Sequence, residues 1–298
     1  MIKRENIYIR DPFVVPAYEE KKYYLFGTTD INCWNNEKAT GFDYYITSDL
    51  ENFEGPFVAF RPDKSFIWDK NFWAPEIHEY NGKFYMFATF ITDGRNRGTQ
   101  ILVSEKITGP YIPWSIEPVT PNDWMCLDGT LFIDEAGEPW IVFCHEWVQI
   151  YDGEICAARL SKDLRSTISE PITLFRASDA KWTRSIKIIN NHECYVTDGP
   201  FVYKSSNGEL YMIWSSFIEN NVYAVGVAYS KSGNIVGPWV NKEIPIFSND
   251  GGHGMIFKTF EGKLTLAIHA PNKRGKERPL FLQIDESTLD CKNFYRKL

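Results

Sequence analysis

Leu127-Asp128-Gly129-Thr130-Leu131-Phe132 runs into a polar turn at Glu135-Ala136-Gly137 and then into Trp140-Ile141-Val142-Phe143. A turn-forming pair, a short apolar run, a glycine turn and a second apolar run mark a β-hairpin. The same order recurs four more times. Asp11-Pro12-Phe13-Val14-Val15 leads through the acidic turn Glu19-Glu20 to Tyr23-Tyr24-Leu25-Phe26. Ala74-Pro75-Glu76-Ile77-His78 leads through Asn81-Gly82-Lys83 to Phe84-Tyr85-Met86-Phe87. Asp198-Gly199-Pro200-Phe201-Val202 leads through Asn207-Gly208-Glu209 to Leu210-Tyr211-Met212-Ile213-Trp214, and His253-Gly254-Met255-Ile256-Phe257 leads through Glu261-Gly262-Lys263 to Leu264-Thr265-Leu266-Ala267-Ile268. The openings fall at residues 11, 74, 128, 198 and 253, a period of about sixty residues, long enough for four strands and their turns.

Third and fourth strands have their own marker, a Gly-Pro-aromatic triplet at Gly55-Pro56-Phe57, Gly109-Pro110-Tyr111 and Gly237-Pro238-Trp239, with Glu170-Pro171-Ile172 in the same place of the third repeat. Proline cannot donate to a ladder, so these triplets belong at outer strands. Four strands per repeat, five repeats and no amphipathic helix predict an all-β fold, a five-bladed β-propeller with four-stranded antiparallel blades. The chain is expected to be one catalytic domain over residues 1–298. A two-sheet sandwich does not account for the period.

Composition narrows the function. Aromatic residues make up 16% of the chain and include ten Trp; they suit strands, most of the Trp belong in the core, and exposed ones stack on sugar rings. A net charge of −7 without a basic stripe argues against nucleic-acid and anionic-membrane partners. The one basic cluster, Lys273-Arg274-Gly275-Lys276-Glu277-Arg278, reads as a solvated turn. No stretch approaches membrane-spanning length, the N-terminal MIKRENIYIRDP has no apolar leader, and the six Cys lack paired or metal-type spacing. Together these predict a cytoplasmic protein.

In a propeller the innermost strands line the central channel, so their openings converge on one face. Asp11, the segment from Trp73 to Glu76, Asp128, Asp198 and His253 meet there, joined by second-strand ends at Thr28, His145-Glu146, Ser215 and His269. One Asp-Gly or Asp-Pro pair is commonly only a turn. Three Asp at matched positions are a ring of like charges, which repel and need a reason to be together. Glycoside hydrolysis supplies one: it needs one carboxylate ionised and another protonated, and a third charge can hold the proton on the acid.

These residues resemble glycoside hydrolase family 43, from Arg10-Asp11-Pro12 through Trp73-Ala74-Pro75-Glu76 and Leu127-Asp128-Gly129 to Gly252-His253-Gly254-Met255. The resemblance implies an inverting, exo-acting hydrolase of arabinose- or xylose-containing oligosaccharides, of arabinofuranosidase or xylosidase type. It makes Asp11 the general base and Asp128 the carboxylate that tunes and orients the acid. The family's general acid is usually a Glu in a Glu-Gly-Pro motif, and here Asp198-Gly199-Pro200 stands in its place. Asp is a methylene shorter, so the acid is either Asp198 or Glu146. Trp73, Glu76, Trp124, His253 and Arg278 are the expected substrate contacts, with Trp34 on a flanking loop. His253 matches a channel histidine that lies near a metal ion or water, so calcium or another ion is expected beside it, with no cofactor required for the chemistry. An inverting pair leaves about 6.5–9.5 Å between its carboxyls for the attacking water. The loops around 30–36 and 93–98 are expected to choose the sugar. Two other readings stand beside this one: a sugar-binding propeller without catalysis, and an invertase-like glycosidase, whose opening Asn-Asp-Pro-Asn motif is absent.

Overall fold

The computed structural model describes residues 1–31, 33–34 and 37–291. The apolar runs of the sequence are strands, and they group into five antiparallel blades. Blade 1 runs outward from Arg10–Ala17 through Lys22–Thr28 and Phe42–Thr47 to Asn52–Phe60, with Ile2–Lys3 added at its outer edge. Blade 2 comprises Lys70–Tyr80, Lys83–Ile91, Gly98–Ser104 and Ile112–Pro113, and blade 3 Cys126–Ile133, Pro139–His145, Glu154–Arg159 and Ile172–Arg176. Blade 4 comprises Asp198–Lys204, Leu210–Ile218, Val222–Ser230 and Trp239–Asn241. Blade 5 comprises Gly252–Lys258, Leu264–Ala270 and Arg278–Gln283, and an antiparallel bridge from Ile284 to Cys291 reaches its fourth position. This is the five-bladed propeller that the repeat predicts. The Gly-Pro-aromatic triplets fall in or just before outer strands, where a missing N–H leaves no ladder bond unmade.

Blades hold together through apolar seams. Phe42, Phe60, Phe72 and Phe90 pack between blades 1 and 2, and Phe87 and Ile101 meet Ile141 and Phe143 between blades 2 and 3. Trp182 and Trp214 fill the seam of blades 3 and 4, and Ile213, Val225, Ile256 and Leu266 fill that of blades 4 and 5. Each such side chain removed from water stabilises the fold by about 1.5–3 kcal/mol. Four of the Trp are buried, at positions 68, 182, 214 and 239, whereas Trp34 is 42% exposed.

Every inner strand also opens with a β-bulge, where its register with the second strand slips. One residue at each bulge adopts the left-handed backbone conformation: Asp11 (φ 52°), Ala74 (φ 47°), Asp128 (φ 57°), Gly199 (φ 51°) and His253 (φ 44°). For a residue with a Cβ this conformation costs about 1–3 kcal/mol, which the surroundings must offset. The bulge N–H does part of that by crossing the seam to the end of the preceding blade's second strand. Ala74 donates to Thr28 Oγ1 (2.7 Å), Asp128 to Thr89 Oγ1 (2.9 Å), His253 to Ser215 Oγ (2.9 Å) and Asp11 to His269 Nδ1 (3.2 Å). The bond from Asp11 joins blade 1 to blade 5. Arg10 reinforces that closure by donating from Nη1 to Glu277 Oε1 (2.8 Å) and Asn272 Oδ1 (2.9 Å).

Candidate active site

The bulges sort the channel mouth into two tiers. Left-handed residues form the floor, where His253 Nδ1 lies 3.2 Å from Asp11 Oδ1 and 3.6 Å from Asp128 Oδ2. The residues just before them, Arg10, Trp73, Leu127 and Asp198, line the wall of a pocket of about 320 Å³. Asp198 therefore does not occupy the same position as Asp11 and Asp128. The expected alignment of three Asp is off by one residue at blade 4, where Gly199 takes the bulge and Asp198 the wall. Asp-Gly-Pro and Asp-Pro look alike along the chain, and only the φ angles and the pairing tell them apart. Gly199 is glycine because of its neighbour: a Cβ there would sit 2.5 Å from His253 Cδ2.

Electrostatics separate the three acids. Burial works against the charge of Asp11, but His253, Arg10 and a hydrogen bond from Thr28 Oγ1 (2.7 Å) outweigh it, and its pKa is lowered. His269 accepts the Asp11 amide through Nδ1, which places its proton on Nε2, 3.3 Å from Asn272 Oδ1. Burial and the nearby Arg10 bring the His269 pKa down to about 3. The ring is neutral, so its 3.5 Å approach to Asp11 Oδ1 is no ion pair. Asp128 is buried beside Asp11, and its pKa is raised well above the usual range by burial first and Asp11 second. Asp198 keeps part of its surface open to the pocket; burial and then Asp128 raise its pKa to about 7. Tyr223 donates its hydroxyl to Asp198 Oδ2 (2.9 Å), and burial raises the phenol's own pKa so that it stays a donor. Asp128 and Asp198 titrate as a pair that holds at least one proton near neutrality, while Asp11 is ionised.

The pocket wall on the side of blades 1 to 3 is a relay of guanidinium and indole groups in contact. Arg10 lies over Trp34 (4.7 Å), Trp34 against Trp73 (5.2 Å), and Arg97 over Trp73 (4.4 Å). Glu146 lines the pocket, but its Oε2 is in direct contact with Arg97 Nη1. Burial raises the Glu146 pKa and Arg97 pulls it back. Trp147, Val148, Ile186, Val196 and Phe217 form the opposite wall.

Of the expected contacts, Trp73, Trp34 and His253 reach the pocket. Glu76 does not line it. It is buried, paired with His78 Nε2 at 2.9 Å, and near enough to raise the Asp128 pKa further. Trp124 is turned away and stacks on His145 at 4.1 Å. Arg278 is not at the pocket either, because its guanidinium donates to the carbonyls of Glu5 (2.8 Å) and Glu277 (2.8 Å). The arginines present are Arg10 and Arg97. Arg10 adjoins Asp11 in the sequence and Arg97 lies in a loop expected to shape the pocket, whereas nothing along the chain marks Tyr223. Asn32, Asn35 and Asn36 of the other expected loop lie outside the described residues.

Among the described residues no group of three or more His, Cys, Asp or Glu could hold a metal ion. The His253 Nδ1 is turned to the carboxylates of Asp11 and Asp128, and its ring lies beside Gly199. No helix among the described residues is long and apolar enough to cross a membrane.

Comparison with known proteins agrees with this geometry. A family model described as glycosyl hydrolases family 43 matches residues 6–286. A crystal structure of an endo-arabinase from Bacteroides thetaiotaomicron superposes with a TM-score of 0.88 and 41% identity, covering 97% of this chain and 99% of that one. The extracellular exo-α-(1→5)-L-arabinofuranosidase ArbA of Cellvibrio japonicus is 25% identical over 89% of this chain and 80% of its own length. The extracellular endo-α-(1→5)-L-arabinanase 1 of Bacillus subtilis is 23% identical over 62% of this chain and 53% of its own. Relatives named extracellular overturn the expected cytoplasmic location. Free cysteines misled that expectation because five of the six are buried, and buried thiols are inert whatever the compartment.

Proposed function

We propose the reaction of this chain, which belongs to glycosyl hydrolases family 43, to be inverting hydrolysis of arabinofuranosyl or xylosyl linkages, at the ends of arabinose- or xylose-containing chains. One observation carries the reading: two carboxylates on one pocket are pushed apart in proton affinity, Asp11 downward and Asp198 up to about 7. Ionised Asp11 takes a proton from water as that water attacks the anomeric carbon. Protonated Asp198 gives its proton to the departing oxygen, and that proton is the one its pair with Asp128 holds near neutrality. The side chains supply the acid and the base without a cofactor.

Asp198 is the better acid than Glu146. A donor must hold its proton, and Arg97 at Glu146 Oε2 favours the charged form there, whereas Asp128 beside Asp198 favours the protonated one. Glu146 instead holds Arg97 against Trp73, so it shapes the sugar-binding wall. That wall of Arg10, Trp34 and Trp73 closes one side of the pocket, which suits the end of a chain. An endo mode has one specific argument, the 41% identity to an endo-arabinase.

Linear α-(1→5)-arabinan and a dinitrophenyl arabinofuranoside test both points. An activated leaving group departs without a proton, so Asp198→Ala should lose activity on arabinan at least 10²-fold more than on the aryl glycoside. Glu146→Ala should lose both to the same extent, through binding. The opposite assignment of these two behaviours removes Asp198 from the acid role. Monosaccharide as the sole early product supports the exo mode, and a ladder of oligosaccharides supports the endo mode.

A further inference from the structure

Four of the five blade seams carry the same hydrogen bond, from a bulge N–H to a side chain at the end of the preceding second strand. The seam between blades 3 and 4 does not. Its equivalent second-strand residue is Cys144, paired with Leu127 in the ladder as Thr28 is with Arg10 and Ser215 with Asp198. A thiol is a weak acceptor. The Gly199 N–H at this bulge donates to Asp128 Oδ2 instead, at 3.0 Å. Cys144 is fully buried, and burial followed by the charges of Asp128 and Asp198 raises its pKa, so it stays a neutral thiol next to both acids.

We propose that Cys144 is a positioning residue of the hydrolase: by leaving the seam bond unmade, it frees the Gly199 amide to hold the Asp128 carboxylate beside Asp198. The inference rests on Asp198 as the acid. An amide donated to Asp128 favours its charged form. The pair holds a proton near neutrality, and a charge favoured on Asp128 leaves that proton on Asp198. Asp128 is faced by Asp11, His253, Glu146 and Glu76, and Asp198 by Asp128, His253, Asp11 and the Tyr223 hydroxyl. A hydroxyl at position 144 would compete for the Gly199 amide, as the hydroxyls of Thr28, Thr89 and Ser215 hold theirs. Asp128 would then keep its own proton more tightly, its repulsion of Asp198 would fade, and the acid would ionise at lower pH.

Cys144→Ser and Cys144→Ala separate this role from packing. Ser offers an acceptor of nearly the same size, and Ala removes the thiol without offering one. With both variants shown folded by thermal melts, Ser should move the basic limb of the kcat/KM–pH profile down by about half a unit or more and lower kcat. KM for arabinan should stay near the parent value. Ala should leave the limb in place. A Ser variant with the parent limb, or an Ala variant shifted as far as Ser, overturns the proposal. A crystal structure of Cys144→Ser in which Gly199 still donates to Asp128 overturns it whichever residue is the acid. Loss of the Asp198 assignment shows separately, as an Asp198→Ala variant that retains the basic limb.

Discussion

Asp11 and Asp198 have the same side chain and opposite shifts in proton affinity, and their neighbours make the difference. Asp11 sits beside Arg10 and accepts from Thr28; Asp198 sits beside Asp128 and is partly shut off from water. Activity should fall on the acid side as Asp11 is protonated, below the ordinary carboxylate range. On the basic side it should fall as pH rises through about 7, where Asp198 loses its proton. Asp11→Asn keeps the shape and removes the proposed base, so kcat should drop by about 10²-fold or more with little change in the melting temperature. Stability carries the mirror sign. The folded-state pKa of Asp198 is raised, so folding holds a proton that an unfolded Asp would release, and stability declines as pH rises from the unfolded value towards about 7. Asp198→Asn removes that penalty. At pH 8 the inactive variant should be more stable than the parent by on the order of 1–3 kcal/mol, a figure reduced for the partial exposure of the group. Denaturant melts at pH 5 and pH 8 check this: the gain should shrink at the lower pH, and a gain equal at both points to a cause other than charge.

At the scale of the element, the bulge that opens each inner strand decides which way a side chain faces. Blade 5 shows its tolerances. Gly252 stands where the other blades carry Arg10, Trp73, Leu127 and Asp198, and a Cβ on it would lie 2.6 Å from Tyr223 Cε1 and 2.8 Å from Ser215 Oγ. The empty space lets Tyr223 reach Asp198 and Ser215 accept the His253 amide. Gly252→Ala should displace one or both, with a stability loss of about 1–3 kcal/mol and at least tenfold lower activity on arabinan. Tyr223→Phe, which removes only the hydroxyl, identifies the route. If Gly252→Ala matches its pH profile, the tyrosine has been moved; a normal profile with lower stability points to the Ser215 bond alone. Apolar alternation in the hairpins was legible from the sequence, because each strand buries one face and its turns carry Gly. The bulges were not, because their left-handed residues are Asp, Ala, Asp, Gly and His, a set without shared chemistry.

Across the whole molecule, the ring closes at the active site. Blade 1 meets blade 5 through Asp11 on His269 and through Arg10 on Glu277 and Asn272, with Glu277 fully buried. Removing one partner of a buried ion pair leaves the other uncompensated, a loss of about 3–5 kcal/mol. Glu277→Ala should therefore lower stability by that order and also reduce turnover, since Arg10 helps to keep Asp11 ionised. Glu277→Gln retains a hydrogen-bond acceptor and should recover part of both. Urea melts and kcat on the aryl glycoside measure the two effects. A Glu277→Ala variant that melts like the parent shows that the seam holds without the Arg10–Glu277 pair. The sequence cluster around Lys273 reads as a solvated turn and is mostly exposed, but its single acid is the anchor of the ring.

Period, hairpin pattern and outer-strand prolines determined the propeller without any structure, because each is a local property of a strand or turn that repeats along the chain. Asp11, Asp128 and His253 were also legible, since they open matched strands that a propeller must bring to its axis. Tertiary structure alone decided that Asp198 belongs to the wall, that Tyr223 holds it, that Glu146 is engaged by Arg97, and that Arg10 rather than Arg278 faces the pocket. Those facts depend on which way a side chain leaves a bulge and on what stands opposite it in another blade, tens to hundreds of residues away. A periodic pattern states which face of a strand is buried; it carries no term for the partner across the seam, and the partners set the charges.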